Sequence, residues 1–190
     1  VRAGRGDPAP RVALAACLEK EGKLRESSDE LRAALRLDRF HPAADGRTWR
    51  RRLELPAGAP VLGMVGKLAE GRGFDLLLAT AAHCTTAPHV VVVGHGEAEL
   101  SLRRQASNLG LDRRVHWLGY RDAELPEIYA AMDVVLHAGG GSDWGHRAVS
   151  EAQGCGRPVV AAAADGIADL VEDGVTGRIV ASDPGSLAAA

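Results

Sequence analysis

With 190 residues the chain can fill one good core and carry a small appendage. Its 23 basic against 25 acidic residues, a net charge of -2, argue against nucleic acid or an anionic membrane as partner. Three cysteines (Cys17, Cys84, Cys155) without metal-ligand spacing suit a reducing compartment, and neither a signal peptide nor a membrane-spanning apolar run is present, so a cytoplasmic location is expected.

Residues 1–38 are expected to form a helical hairpin. Val12, Leu14, Ala15 and Leu18, then Leu24, Leu31, Ala34 and Leu35, recur near helical spacing on either side of Gly22. Leu14, Ala15, Leu18, Leu31 and Ala34 resemble the apolar positions of one tetratricopeptide repeat, with Ser27 and Arg39 replacing its usual Ala and Pro. One repeat cannot bury its own faces, so the hairpin is either the last of an array or a chance pattern. Residues 39–56 read as a linker with a short helix over 47–55, followed by turns at Pro56 and Pro60. The run Arg50-Arg51-Arg52 is expected on a solvated helix face. Val1 is no natural initiator and the helix signal from Ser186 is cut short, so the sequence reads as a fragment.

Residues 57–190 alternate. Strands are expected at 61–65, 89–93, 115–118, 133–136, 158–163 and 177–180, with helices near 74–81, 97–109, 124–132, after 142, and at 165–172. This pattern means an α/β, Rossmann-like parallel sheet with helices on both faces, preceded by the helical N-terminal segment. Ligands on such sheets lie beyond the carboxyl ends of the strands.

The loops at those ends hold the candidate chemistry. Gly66-Lys67 to Arg72-Gly73 is a glycine-rich turn with two cations, suited to a diphosphate or else a solvated pair. Gly94-His95-Gly96 begins a dinucleotide fingerprint, but Glu99 stands where its third glycine belongs. Gly139, Gly140 and Gly141 allow a sharp turn and close approach to a ligand. Ser142 and Asp143 can cap the next helix, whose opening amides offer an anion seat. Asp143 and Glu151, eight positions and roughly two helical turns apart, can face one pocket. Glu151 on the inner end of a helix is costly unless exposed or hydrogen-bonded. The histidines read as isolated surface or packing residues without a metal cluster, except His146, near the helix start, where its ring can meet phosphate. Trp117 reads as core packing.

Asp143, Glu151-Ala152, Gly156, Pro158, Val159 and Val160 together resemble the E-x7-E signature of retaining GT-B glycosyltransferases of the group 1 (family 4-like) type. Asp143 stands for the first Glu, and Trp144-Gly145-His146 for the usual Gly-aromatic-Gly. Lys67 and Arg72 resemble the family's G-R-x-x-x-x-K-G with the two cations exchanged. Gly94 and Gly96 resemble its G-x-G, Val115 to Gly119 its V-x-F-x-G, and Leu37 to Pro42 the linker into its second domain.

The resemblance implies the C-terminal half of a GT-B fold. It would transfer a sugar from a UDP- or GDP-linked donor with retention, needing no metal and no cofactor. It implies that Gly66, Lys67, Arg72 and the helix start at Gly145, His146, Arg147, Ala148 and Val149 meet the leaving diphosphate. Glu151 would accept the ribose hydroxyls, Gly94 would pass near the donor, and Gly119 and Tyr120 would border the base. Asp143 would either touch the transferred sugar or cap the helix. The acceptor (lipid, saccharide or small molecule) and any membrane contact would belong to a first domain that this sequence lacks, so the chain alone is expected to bind donor weakly and transfer almost nothing. Two other classes stay open: a UDP-sugar 2-epimerase, and a repeat-containing interaction protein with a degenerate transferase domain.

Overall fold

The computed structural model describes residues 38–139, 147–164 and 166–190. The expected hairpin before residue 38, together with Asp143, Gly145, His146 and Asp165, lies outside the described residues.

Six strands form one parallel sheet: β1 (Val61–Val65), β2 (His89–Val93), β3 (Val115–Gly119), β4 (Val134–His137), β5 (Val159–Ala162) and β6 (Gly177–Val180). Each matches the expected span to within a residue at either end: β1, β2, β4 and β5 are largely buried, valine-rich runs of the kind a two-sided parallel sheet needs, while β3 and β6, at the two sheet edges, are only partly buried. The described helices are α1 (Arg47–Arg52), α2 (Phe74–His83), α3 (Glu99–Asn108), α4 (Leu125–Ala131), α5 (Arg147–Gly154) and α6 (Pro184–Ala189). The carboxylate of Asp183 caps α6, accepting from the Ser186 amide at 2.9 Å.

The strand order is β3-β2-β1-β4-β5-β6. The chain winds outward from β1 to β3, returns to lay β4 on the other side of β1, and winds outward again. Successive residues of each strand feed opposite cores. Val61, Val91, Val93, Val135, Val159 and Ala161 pack with α1, α4 and α5, while Leu62, Met64, Val90, Val92, Leu136 and Val160 pack with α2, α3 and α6. β1 and β4 pair only at Leu62 with Val134 and Gly63 with Val135. Beyond that point the two strands part, and the carboxyl ends on either side of the reversal open a crevice.

Two expectations need correction. The helix expected over 165–172 is a single 3-10 turn, Ile167–Asp169. Gly166 before it and Gly174 after it both adopt left-handed φ (77° and 78°), and only Ile167 and Val171 of this stretch are buried, so no amphipathic helix has room or reason to form. The basic run of α1 is not a uniformly solvated face either. Trp49 is buried, and the Arg50 guanidinium donates to Ala131 O at 2.9 Å, Ala59 O at 3.2 Å and Asp133 Oδ2 at 2.8 Å. Asp133 Oδ2 also accepts from the Val61 amide, so Arg50 ties the linker helix to the amino ends of β1 and β4, away from the crevice. Arg51 and Arg52 are exposed as expected. Among the described residues no helix is long and apolar enough to cross a membrane.

Candidate functional site

The crevice at the reversal is a cavity of about 370 Å³. Every loop around it leaves the carboxyl end of a strand. Gly66, Lys67 and Arg72 come from the β1–α2 loop, Gly94 and His95 from the β2–α3 loop, and Tyr120, Arg121 and Asp122 from the β3–α4 loop. His137 and Gly139 come from the end of β4, and Arg147, Ala148 and Glu151 from the first two turns of α5.

Backbone packing sets the loop positions. Gly94 has φ 135°, and a Cβ there would lie 1.8 Å from Gly66 O. The same two loops exchange hydrogen bonds: Gly66 N–H to Val93 O and Leu68 N–H to His95 O, both 3.0 Å. The Gly94 amide donates in turn to Gly119 O at 2.9 Å, so three neighbouring loops are stitched edge to edge. On the far side, a Cβ on Gly139 would meet Arg72 O at 2.5 Å. Loop-against-loop packing thus by itself requires glycine at 94 and 139, a reason separate from the close approach to a ligand expected of them.

Among the described residues four cations line the cavity: Lys67, Arg72, Arg121 and Arg147. Lys67 Nζ pairs with Glu97 at 3.2 Å, an exposed contact that, with the Glu97 backbone amide as the larger cause, lowers the Glu97 carboxyl. Arg72 is half-buried. Arg147 Nε lies 3.2 Å from Glu151 Oε1 one helical turn on. Glu151 is 3% exposed, and its Oε2 accepts from the hydroxyl of Tyr129 at 3.1 Å. Tyr120 stands 66% exposed at the rim, edge-on to His95 with ring centroids 5.9 Å apart. This gives an open aromatic face beside a patch of positive charge, with a buried carboxylate behind it. Such a set can seat a diphosphate, a hydroxylated ring and a flat base.

Not every anticipated residue reaches the cavity. Gly119 is not part of the cavity wall, its carbonyl accepting from the Gly94 amide, and the Val149 side chain is buried in the core, so that only its backbone amide could serve a ligand. Trp117 is half-buried on the sheet with the Arg103 guanidinium 4.7 Å from its ring, as its packing role anticipated. Asp143, Gly145 and His146 fall outside the described residues. Sequence reasoning missed His137, which ends an apolar strand and is buried at the cavity, and Tyr129, whose buried hydroxyl should have prompted a search for a partner. The histidines are also not all isolated. His89 and His116 stack across β2 and β3 with Nδ1 3.1 Å from Nε2, and burial lowers both from the ordinary imidazole range. Among the described residues no group of three or more potential metal ligands is assembled.

The family model described as "Glycosyl transferases group 1" matches residues 59–190. The chain belongs to this family. Its relatives include the D-inositol 3-phosphate glycosyltransferases of Mycobacterium leprae, 37% identical over 149 residues (76% of this chain, 34% of that enzyme), and of Geodermatophilus obscurus, 38% identical over 168 residues (81% and 37%). This group 1 chain thus spans about a third of the length of the curated relatives it matches. Among solved structures, Anabaena Alr3699/HepE in complex with UDP and glucose superposes with a TM-score of 0.73 at 31% identity, covering 80% of this chain and 43% of that one. The C-terminal domain of the group 1 protein LpcC from Francisella tularensis shares the fold at a TM-score of 0.65, 22% identity and 80% coverage of both chains. The six-stranded sheet is thus the Rossmann-like unit found in GT-B glycosyltransferases.

Proposed function

We propose that this chain is the donor-binding half of a glycosyltransferase that moves a sugar, with retention, from a nucleoside diphosphate sugar. The observation that carries the reading is the convergence of Lys67, Arg72, Arg147 and Glu151 on one cavity at the strand-order reversal. In this reading Lys67, Arg72 and the opening amides of α5 neutralise the diphosphate as it leaves, a share of catalysis that fixed charges and helix dipoles can provide without a metal ion. Glu151 accepts the ribose hydroxyls, Tyr120 flanks the base, and Asp143 either contacts the transferred sugar or caps the helix. The diphosphate displaces Glu97 from Lys67, an exchange eased by the exposure of that ion pair.

UDP is the first donor nucleotide to test, because Alr3699/HepE is described with UDP and glucose. Inositol phosphate is the first acceptor to test, because the relatives named above are D-inositol 3-phosphate glycosyltransferases. Acceptor contacts would come from a partner half outside these residues, and the chain alone should turn over almost no donor.

The test is calorimetric titration of the chain with UDP, GDP and ADP, beside a Lys67→Ala/Arg72→Ala variant. Binding of one nucleotide, weakened at least about tenfold in the variant, is expected from the loss of two charge-assisted contacts. Equal affinity in the two proteins, or no binding by the folded chain, would count against the reading.

A further inference from the structure

The Glu151 carboxylate is held from behind by a residue that never meets the cavity. Tyr129 on α4 has 0% exposure and is absent from the cavity wall, whereas Glu151 forms part of that wall. The Tyr129 ring is pinned by Phe40 of the linker, edge-on with centroids 6.0 Å apart, and Phe40 is itself fully buried. Burial, then the nearby Glu151 charge, pushes the Tyr129 hydroxyl well above the ordinary phenol range, so it remains a donor wherever Glu151 is ionised. The carboxylate therefore lies between the Tyr129 hydroxyl on one side and the cavity on the other. Glutamate is also long and rotamer-rich, and an acceptor fixed in advance need not be ordered when a ligand arrives.

We propose that Tyr129 is a positioning residue for donor recognition: its hydroxyl fixes the Glu151 carboxylate in the orientation that accepts ribose hydroxyls, and so sets a preference for ribonucleotides over 2′-deoxyribonucleotides. This rests on the ribose role of Glu151 proposed above. Tyr129 acts through Glu151 and touches no ligand. Phe40 gives the linker a hand in the same arrangement, since it bounds the space in which the Tyr129 ring can turn.

The test compares UDP with 2′-deoxyUDP by calorimetry in the unmodified chain, Tyr129→Phe, Glu151→Ala and the double variant. The unmodified chain is expected to prefer UDP by about tenfold, the worth of one hydrogen bond to a charged group. Glu151→Ala should erase the preference. Tyr129→Phe should cut it to about threefold or less, and the double variant should match Glu151→Ala. A hydroxyl that served folding alone would weaken both nucleotides by one factor and leave their ratio intact. A full ratio in Tyr129→Phe, with the ratio lost in Glu151→Ala, overturns the proposal while leaving the ribose reading standing. A ratio retained in Glu151→Ala defeats the ribose reading itself. If UDP does not bind, the GDP and ADP pairs replace it, and no binding of any by the folded chain defeats both.

Thermal melts check that each variant folds. Should Tyr129→Phe not fold, fluorine NMR of the 3-fluorotyrosine-labelled chain reads the same contact directly. The sequence has two tyrosines, Tyr120 and Tyr129, so Tyr120→Phe assigns the signals. The Tyr129 signal should move more with UDP than with 2′-deoxyUDP, and equal movement with both would overturn the proposal.

Discussion

Replacing Gly94 with alanine tests whether the cavity loops are set by their mutual backbone packing. Gly94 sits at φ 135°, a conformation that strains any residue with a Cβ by about 1–3 kcal/mol. The added methyl would also lie 1.8 Å from Gly66 O, where contacts below 3.0 Å essentially never occur, so the loops must part by more than an ångström. That movement breaks or stretches Gly66 N–H to Val93 O (3.0 Å) and Gly94 N–H to Gly119 O (2.9 Å), at about 1 kcal/mol each. The combined loss is about 3–5 kcal/mol, a large part of the 5–15 kcal/mol that stabilises a domain. For a chain of this size it should lower Tm by roughly 10 °C. Gly58 provides the control. Its φ of 74° is also positive, but nothing lies within 4 Å of its Cβ position, so Gly58→Ala should cost only about 1–2 kcal/mol. Urea melts of both variants measure the difference, and calorimetry shows whether UDP affinity falls with it as Gly66 is pushed aside. Equal stability of the two variants would refute the reasoning.

Glu97→Gln should strengthen UDP binding about twofold to fivefold and steepen its salt dependence, because a carboxylate no longer competes for Lys67. Titrations at 50 and 300 mM salt would show it, and weaker binding would count against a diphosphate at Lys67. Arg50→Ala should cost about 2–3 kcal/mol in urea melts, since it strips hydrogen bonds from Ala131 O, Ala59 O and Asp133. UDP affinity in the folded protein should be unchanged, because Arg50 lies away from the crevice. The His89–His116 pair predicts acid sensitivity. Both imidazoles titrate below their unfolded value of about 6.5, so the unfolded chain takes up protons first and stability falls as pH drops through 6.5 toward the folded values. His89→Gln/His116→Gln should flatten the pH dependence of urea midpoints between pH 7.5 and 5.5, and an unchanged slope would remove the pair as its cause.

The site was legible in the sequence wherever its residues sit beside a marked strand end. Lys67 and Arg72 flank a glycine-rich turn after Val61–Val65, and Glu151 falls one helical turn after Arg147, on the side of the helix that faces the crevice. Tyr129, His137 and Arg50 were not legible as partners. Tyr129 is 22 residues from Glu151, and Arg50 is 83 from Asp133, so only the packed fold brings each pair together.

Sequence alone therefore determined what is local: six strands from short, mostly apolar runs, most of the described helices from their 3.6-residue period, and a parallel sheet from their alternation. It also determined the chemistry available at the loops, since charge and glycine content do not depend on the neighbours. Only the tertiary structure decided which loops share a cavity and which atoms fix its geometry. Strand order brought β4 beside β1, β2's loop against β1's, and α4 behind α5. The physical reason is that hydrogen bonds, steric contacts and desolvation act over a few ångströms in space, and neighbours at that range come from segments far apart along the chain.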